Sequence, residues 1–160
     1  MAEERAQTAE AQEQDLNEMM RVRREKMEAF RAMGVAPFGH RFEVTDYAAE
    51  IRAQYDYLGE DEEGGEVRIA GRLMAIRGHG KASFSTLNDR TGNIQIYFKQ
   101  DVLGEQKYKE EFKRLDIGDI IGVRGVVFKT RRGEITVRVE DFDLLSKSLR
   151  PLPEKFHGLK

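Results

Sequence analysis

An aromatic side chain, Phe84, lies among small and cationic residues in the run KASFSTLNDRTGNIQIYF, from Lys81 to Phe98. A phenylalanine exposed beside cations gives an unpaired base a flat apolar face for stacking, which contributes about 1–3 kcal/mol per base. Gln95, in the next predicted strand, carries both a donor and an acceptor in its amide, as recognition of a splayed-out base requires. These residue types favour a binding site for single-stranded nucleic acid.

Two further residues have side chains suited to such a site. Arg77 can bind a base edge or a phosphate, and Glu134 can accept a hydrogen bond from a donor such as the N3–H of uracil. The remaining candidates are cations that can contact phosphates: Arg72, Lys81, Lys129, Arg131 and Arg132. An alternative stays open for two of these residues, because Gln95 can also be an ordinary solvated strand residue and Glu134 can pair with Arg131 or Arg132.

The distribution of charge also favours a polyanionic partner. The formal net charge of the 160 residues is only −2. Between residues 67 and 100, however, six cations stand against one acid, and between residues 122 and 140 five cations stand against two acids. A local excess of cations attracts phosphates whatever the total charge of the protein. A merely solvated basic surface is the alternative interpretation.

Enzymatic chemistry finds little support in the sequence. There is no cysteine, the three histidines are far apart, and RGHGK, Arg77 to Lys81, lacks the spacing of a phosphate-binding loop. We therefore expect no catalysis, metal or cofactor in this chain itself. No apolar run approaches the roughly 18 residues of a membrane span, and the first 15 residues do not resemble a secretion signal. A cytoplasmic location is expected by elimination.

The N-terminal part of the chain is predicted to be helical after a disordered arm. Residues 1–12 lack apolar periodicity and are expected to be disordered. Residues 13–65 are predicted to hold two helices and an acidic loop, GEDEEGGE. The first helix has a methionine-rich packing stripe and ends at Gly34 before Pro37; the second begins with Thr45 as N-cap.

From residue 66 the hydrophobic period changes from helical to two, which predicts strands. Three strands, an amphipathic helix in EQKYKEEFKRL and two more strands follow, the order βββαββ. This order is that of a five-stranded OB-fold Greek-key barrel, in a mainly β protein with a preceding helical segment. The barrel is predicted over residues 66–146, and residues 147–160 are expected to be a linker. An open α+β sandwich is the competing architecture.

Alternation along the strands predicts which side chains face outward. Ile94, Ile96 and Phe98 share one predicted inward face, so Gln95 and its neighbours of the same parity point out. We place Phe84 outward, because small serines then fill the crowded barrel interior, while a core position for Phe84 stays open. Arg77 has inward parity and faces a ligand only if strand 1 contains a bulge or bend.

Several longer runs resemble the N-terminal anticodon-binding domain of bacterial-type class II lysyl-tRNA synthetases. The runs GKASF, IQIY, GDIIGVRG, FKTRRGE and LSKSLRPLPEKFHGL have the order and spacing of that family, and the similarity covers about residues 15–160. The related aspartyl and asparaginyl enzymes share the OB domain, but LRPLPEKFHGL favours the lysyl branch. An anticodon domain of those relatives is kept as an alternative.

The resemblance implies a specific function and specific roles. It implies that the domain binds the UUU anticodon of lysine tRNA, with the central uridine stacked on Phe84 and recognised by Gln95 and Arg77. It also implies an anticodon contact by Glu134. The full-length relatives ligate lysine to tRNA with ATP and Mg²⁺ bound in a catalytic domain that follows, and they are expected to be homodimers. Nonspecific single-strand binding and a purely structural domain remain the alternatives.

Overall fold

The structure, a computed structural model, describes residues 2–33, 42–78 and 80–149. The predicted end of the first helix at Gly34 and Pro37 lies outside the described residues, as do residues 150–160 of the predicted linker. Within the described part of the chain, no helix is both long enough and apolar enough to cross a membrane.

The first helix, α1, spans Ala2–Ala32 and thus includes most of the arm that was predicted to be disordered. Alanine, glutamate and glutamine favour helices, so the helix propagates along this segment although residues 3–15 are exposed. Only the C-terminal half of α1 is anchored, where Met27 and Phe30 are buried. The predicted methionine stripe is therefore a packing face only in part, since Met19 is exposed.

The second helix, α2, spans Ala48–Gln54, and the prediction of Thr45 as its N-cap is wrong. The backbone N–H of Thr45 donates instead to the carbonyl of Arg68 at 2.9 Å. The cap comes from a distant turn: the N–H of Ala48 donates to Asp89 Oδ2 at 2.8 Å, and the N–H of Ala49 donates to Thr91 Oγ1 at 3.0 Å. Local sequence gives no sign of such a cap.

Five strands form a closed barrel in the order β1-β2-β3-β5-β4. The β3–β5 pair is parallel and the other four pairs are antiparallel. The barrel and the βββαββ order confirm the predicted fold class, and closure leaves no exposed sheet edge to protect. The strands are β1 Glu63–Arg77, β2 Ala82–Asp89, β3 Gly92–Lys99, β4 Ile120–Lys129 and β5 Ile135–Ser146.

Two details of this order differ from the prediction. Strand β1 begins at Glu63, three residues before the predicted barrel boundary, because the end of the acidic loop pairs with β4. The single helix predicted between β3 and β4 is divided into α3 (Gln100–Leu103), α4 (Glu105–Glu110) and a 3-10 turn (Phe112–Arg114). Gly104, at φ 94°, separates α3 from α4, because this backbone conformation cannot continue a right-handed helix.

The barrel interior contains the residues that alternation predicted to face inward. The fully buried side chains come from all five strands, and Phe98 packs against Phe112 and Phe142 with ring centroids 4.4 Å and 5.5 Å apart. Phe112 and Tyr108 bring the segment between β3 and β4 onto the same core. The predicted inward residues Ile94, Ile96 and Phe98 are buried, and the core members from the other strands include Val67, Ile69, Leu73, Ile135, Val137 and Val139.

A buried cluster of charges ties the end of the barrel to α1. The Lys147 side chain is fully buried, and its Nζ lies 2.7 Å from Asp116 Oδ2 and 2.7 Å from Asp119 Oδ2. Lys26 of α1 binds the second oxygen of Asp116 at 2.8 Å, and the N–H of Ser148 donates to Asp119 Oδ1 at 2.8 Å. Burial acts to raise the pKa of Asp116, but hydrogen bonds from the two lysines outweigh it and lower that pKa. The cluster joins three segments that are distant in sequence.

The cap that Asp89 provides for α2 makes a testable contribution to stability. Burial acts to raise the pKa of Asp89, but hydrogen bonds from Thr91 and from the N–H groups of Ala48, Thr91 and Gly92 lower it overall. The stabilisation is therefore present above the unfolded-state pKa and is lost as the pH falls through the folded-state pKa. We expect Asp89→Ala to cost about 1 kcal/mol of unfolding free energy at neutral pH, measured by urea denaturation.

The same substitution is expected to reduce the loss of stability on acidification. A control, Asp15→Ala, removes an exposed carboxylate of α1. An Asp89→Ala variant that loses as much stability as the wild type between neutral and acidic pH would contradict this role for Asp89.

Candidate nucleic-acid interface

The facing of Phe84 follows from the burial of its neighbours in β2. Ser83, Ser85 and Leu87 are buried inside the barrel, and Phe84 lies on the opposite, outer face. Ser85 Oγ has no hydrogen-bond partner among the residues that the structure describes. The predicted outward orientation of Phe84 is confirmed.

Phe84 does not stand alone on the outer face. Its ring stacks on Tyr97 of β3, directly opposite in the strand register, with centroids 4.6 Å apart and planes 24° apart. Phe128 of β4 continues the aromatic row at 6.2 Å from Tyr97. Sequence reasoning placed Tyr97 outward but did not include it in the site, although its parity with Gln95 was the available signal. Because Tyr97 supports one face of Phe84, the phenylalanine ring is held in a fixed orientation.

Arg77 reaches the outer face because β1 contains a bulge. The register with β2 shifts between Leu73 and Ala75, which changes the parity of every residue after it. Arg77 therefore pairs with Phe84 in the register, and its guanidinium donates to Thr86 Oγ1 and Gln95 Oε1, both at 3.2 Å. The strand departs from regular alternation here, as the sequence reasoning required if Arg77 was to face a ligand.

Hydrogen bonds fix the orientation of the Gln95 amide. Arg77 has only donors, so the amide atom that faces it must be the oxygen. On the other side Gln95 Nε2 donates to Thr136 Oγ1 at 3.0 Å, and the Thr136 hydroxyl donates to the backbone carbonyl of Glu134 at 3.2 Å. The Arg77 guanidinium can only donate and the Glu134 carbonyl can only accept. The Gln95 amide therefore cannot flip without breaking this series of hydrogen bonds. One lone pair of Oε1 and one N–H of Nε2 remain unused by these partners.

The turn between β4 and β5 forms the wall opposite Arg77. Gly133, at φ 85°, closes it with a hydrogen bond from its N–H to the carbonyl of Thr130 at 2.9 Å. The N–H of Glu134 donates to Thr130 Oγ1 at 3.1 Å. The turn presents Arg131, Arg132 and Glu134, all of them exposed. Among the residues that the structure describes, Glu134 makes no ion pair with either arginine, and Arg131 pairs with Asp61 instead.

These elements enclose a first groove of about 640 Å³ on the outer surface of the barrel. Phe84 and Gln95 form part of its floor, Arg77 lies at one wall, and the turn between β4 and β5 forms the other. The groove thus combines a flat aromatic ring, an oriented amide and cations, which is the set of groups that binds an unpaired nucleotide. Its lining residues are Arg77, Gly78, Phe84, Gln95, Thr130, Arg131, Arg132 and Glu134.

Comparison with known families agrees with this geometry. Residues 67–145 match the tRNA anticodon family model, which describes an OB-fold nucleic acid binding domain. The match covers nearly all of the barrel. In OB-fold domains the face of strands 2 and 3 and the loops 1–2 and 4–5 bind oligonucleotides, and the first groove lies on that face of this OB-fold domain.

Comparison with curated proteins gives similarity beyond the OB-fold domain. The chain is 57% identical over 148 residues to the lysine–tRNA ligase of Thermoanaerobacter pseudethanolicus, which covers 92% of this chain and 29% of that protein. It is 55% identical over 146 residues to the lysine–tRNA ligase of Carboxydothermus hydrogenoformans, covering 91% of this chain and 29% of that relative. It is 50% identical over 153 residues to the lysine–tRNA ligase of Halalkalibacterium halodurans, which covers 94% of this chain and 30% of that protein.

The predicted resemblance to lysyl-tRNA synthetases is thereby confirmed. The chain nevertheless spans only about 30% of the length of these relatives. The similarity therefore identifies which part of such a protein this chain resembles, an anticodon-binding OB-fold domain, and the activity of the whole relatives is a separate question.

The first groove brings together six of the nine predicted site residues of the OB-fold domain, and three lie elsewhere. Arg72 is exposed in β1, where it pairs with Asn88 and Ile120 in the register. Lys81 is exposed just before β2. Lys129 Nζ donates to the carbonyl of Asp56 at 2.8 Å, in the segment that follows α2. None of these three cations lines the groove.

Proposed function

We propose that this chain is the anticodon-binding domain of a lysine–tRNA ligase and that its first groove binds the UUU anticodon of lysine tRNA. The observation that carries the proposal is the locked amide of Gln95 beside the outward-facing, half-buried ring of Phe84. In the proposed complex the central uridine stacks on Phe84, whose other neighbour is Tyr97.

The polarity of the Gln95 amide favours uracil over cytosine. The Watson–Crick edge of uracil presents a donor, N3–H, beside an acceptor, O4, and it matches the unused lone pair of Oε1 and the unused N–H of Nε2. Cytosine presents the reverse order, an acceptor at N3 and a donor at N4. Because Arg77 and Thr136 hold the amide from both sides, Gln95 cannot rotate to match cytosine without losing hydrogen bonds.

The remaining groups have supporting roles in the proposed complex. Arg77 retains unused donors that can bind the base edge or an adjacent phosphate. Arg132 lies opposite, where it contributes a phosphate contact, and Glu134 accepts a hydrogen bond from a neighbouring base. Arg132 is free for such a contact, since it makes no ion pair with any residue that the structure describes.

A fluorescence titration with two anticodon stem-loops, identical except for UUU or UCU in the loop, tests this function. We expect tighter binding of the UUU loop, by about tenfold, because one well-placed bidentate contact contributes about 1–3 kcal/mol of discrimination. Gln95→Ala is expected to remove most of the discrimination. Equal affinity for both loops would contradict anticodon recognition and favour a nonspecific single-strand binder. Absence of any salt-dependent RNA binding would favour a structural domain.

As part of a lysine–tRNA ligase, the domain would position lysine tRNA for the catalytic domain of such an enzyme. That catalytic domain would bind ATP and Mg²⁺, join lysine to the tRNA in the cytoplasm, and supply most of a homodimer interface. The isolated chain is expected to bind tRNA weakly, because it lacks the contacts to the acceptor arm.

A further inference from the structure

Two acids hold arginines at the edge of the proposed RNA site. Asp61 Oδ2 lies 3.4 Å from Arg131 Nε, and Glu63 forms an ion pair with Arg138. Arg131 lines the first groove. Arg138 lines a second groove of about 360 Å³, which also contains both acids and is bordered by Tyr97, whose ring stacks on Phe84. The two acids therefore lie directly beside the first groove.

The backbone fixes the position of these acids. The N–H of Asp61 donates to the carbonyl of Lys129 at 2.8 Å, and the N–H of Lys129 donates to the carbonyl of Glu62 at 3.3 Å. Asp61 itself has φ 58°, in the left-handed region that aspartate and asparagine tolerate better than most residues. The acidic segment is thus attached to the end of β4, next to the turn that carries Arg131 and Arg132.

These ion pairs contribute little to folding stability. The Arg131 and Asp61 side chains are 86% and 61% exposed, and an ion pair so open to solvent gains little. In the second pair the Glu63 side chain is 54% exposed and that of Arg138 is 28% exposed, so this pair is only partly open to solvent. The larger consequence is electrostatic, because each acid cancels the field of an arginine that would otherwise attract phosphates beside the groove.

We propose that Asp61 and Glu63 determine specificity by preventing Arg131 and Arg138 from binding RNA phosphates outside the first groove. Phosphate contacts add affinity for every RNA alike, whereas the Gln95 amide discriminates between bases. With the two arginines neutralised, a larger share of the binding free energy depends on the bases. The inference rests on the proposed function, in that it assumes an RNA ligand in the first groove.

The test compares the double variant Asp61→Asn/Glu63→Gln with the wild-type chain. Asparagine keeps the left-handed backbone at position 61, and the fold is checked by thermal unfolding. Affinities are measured at several salt concentrations for the UUU stem-loop and for a loop with all three anticodon bases replaced. We expect the variant to bind the replaced loop about three- to tenfold more tightly at low salt, with a salt slope steeper by about 0.7 for each added phosphate contact. The preference for UUU should shrink accordingly.

A matched control removes two acids from another face of the barrel. Glu66→Gln/Glu140→Gln changes the net charge equally and frees Arg124, which pairs with both glutamates and lines neither groove. This control should change affinity less than twofold. An equal gain in affinity for the replaced loop in both double variants would overturn the inference. So would an unchanged salt slope in Asp61→Asn/Glu63→Gln. A wild-type chain without preference for UUU would instead contradict the proposed function, and the salt slopes would still test the acids.

Discussion

Replacing Lys147 with methionine is expected to lower the free energy of unfolding by about 3–5 kcal/mol, the usual cost of removing one partner from a buried ion pair. The ammonium of Lys147 is fully buried between Asp116 and Asp119, and the Asp119 carboxylate is equally inaccessible. Without the lysine, Asp119 must remain charged in a site that excludes water or take up a proton. Methionine keeps most of the side-chain volume, so the loss reports the charge and not a cavity.

Lys26→Met is the matched control, because Lys26 binds the same Asp116 from a partly exposed position on α1. This substitution should lower the free energy of unfolding by at most about 1 kcal/mol, because Asp116 keeps its contact with Lys147 and solvent reaches Lys26. Both changes in unfolding free energy are measured by urea denaturation, with one common slope of free energy against urea concentration for the two variants. The buried cluster would have no special role in stability if the two substitutions had equal cost.

Phe84→Ala is expected to weaken binding of the UUU stem-loop about 5- to 150-fold, corresponding to the loss of one base stack of about 1–3 kcal/mol. The loss should affect the UUU and UCU loops alike, because stacking does not distinguish the bases, whereas Gln95→Ala should affect mainly the UUU loop. Phe84→Tyr should bind nearly as the wild type does, since it keeps the aromatic face.

A second control separates stacking in the groove from a general contribution of exposed aromatic residues. Tyr57 is 72% exposed and lines neither groove, so Tyr57→Ala should leave RNA binding unchanged. Affinity of Phe84→Ala within twofold of the wild type would show that the ring does not contact RNA.

The outer face of the barrel was predictable because it depends on local alternation. Ile94 and Ile96 flank Gln95 and fix the orientation of β3, whereas the serines of β2 favoured an outward Phe84 but left a core position open. The order of the elements was predictable for the same reason. Arg77 was only conditionally predictable, because a bulge changes the parity of a strand and the glycines of β1 indicated only that a bend was feasible.

Other features depend on residues that are distant in sequence and left no local signal. The cap of α2 comes from Asp89 and Thr91, more than 40 residues after the helix begins. The partners of Lys147 likewise come from other elements, so nothing in its neighbours marks it as buried. Tyr97 and Thr136 were missed in the site because their roles depend on contacts between strands.

The contact between Phe84 and the central anticodon base is best measured by NMR on the chain with an isotope-labelled UUU stem-loop. Filtered NOE spectra should connect the ring protons of Phe84 to H5 and H6 of the central uridine, and ring-current shifts should move those base protons upfield. In Phe84→Tyr the hydroxyl replaces one ring proton. Only the NOEs of that proton should therefore disappear. With the RNA saturated, NOEs from Phe84 to another nucleotide instead, or to none, would contradict the proposed recognition of the central base.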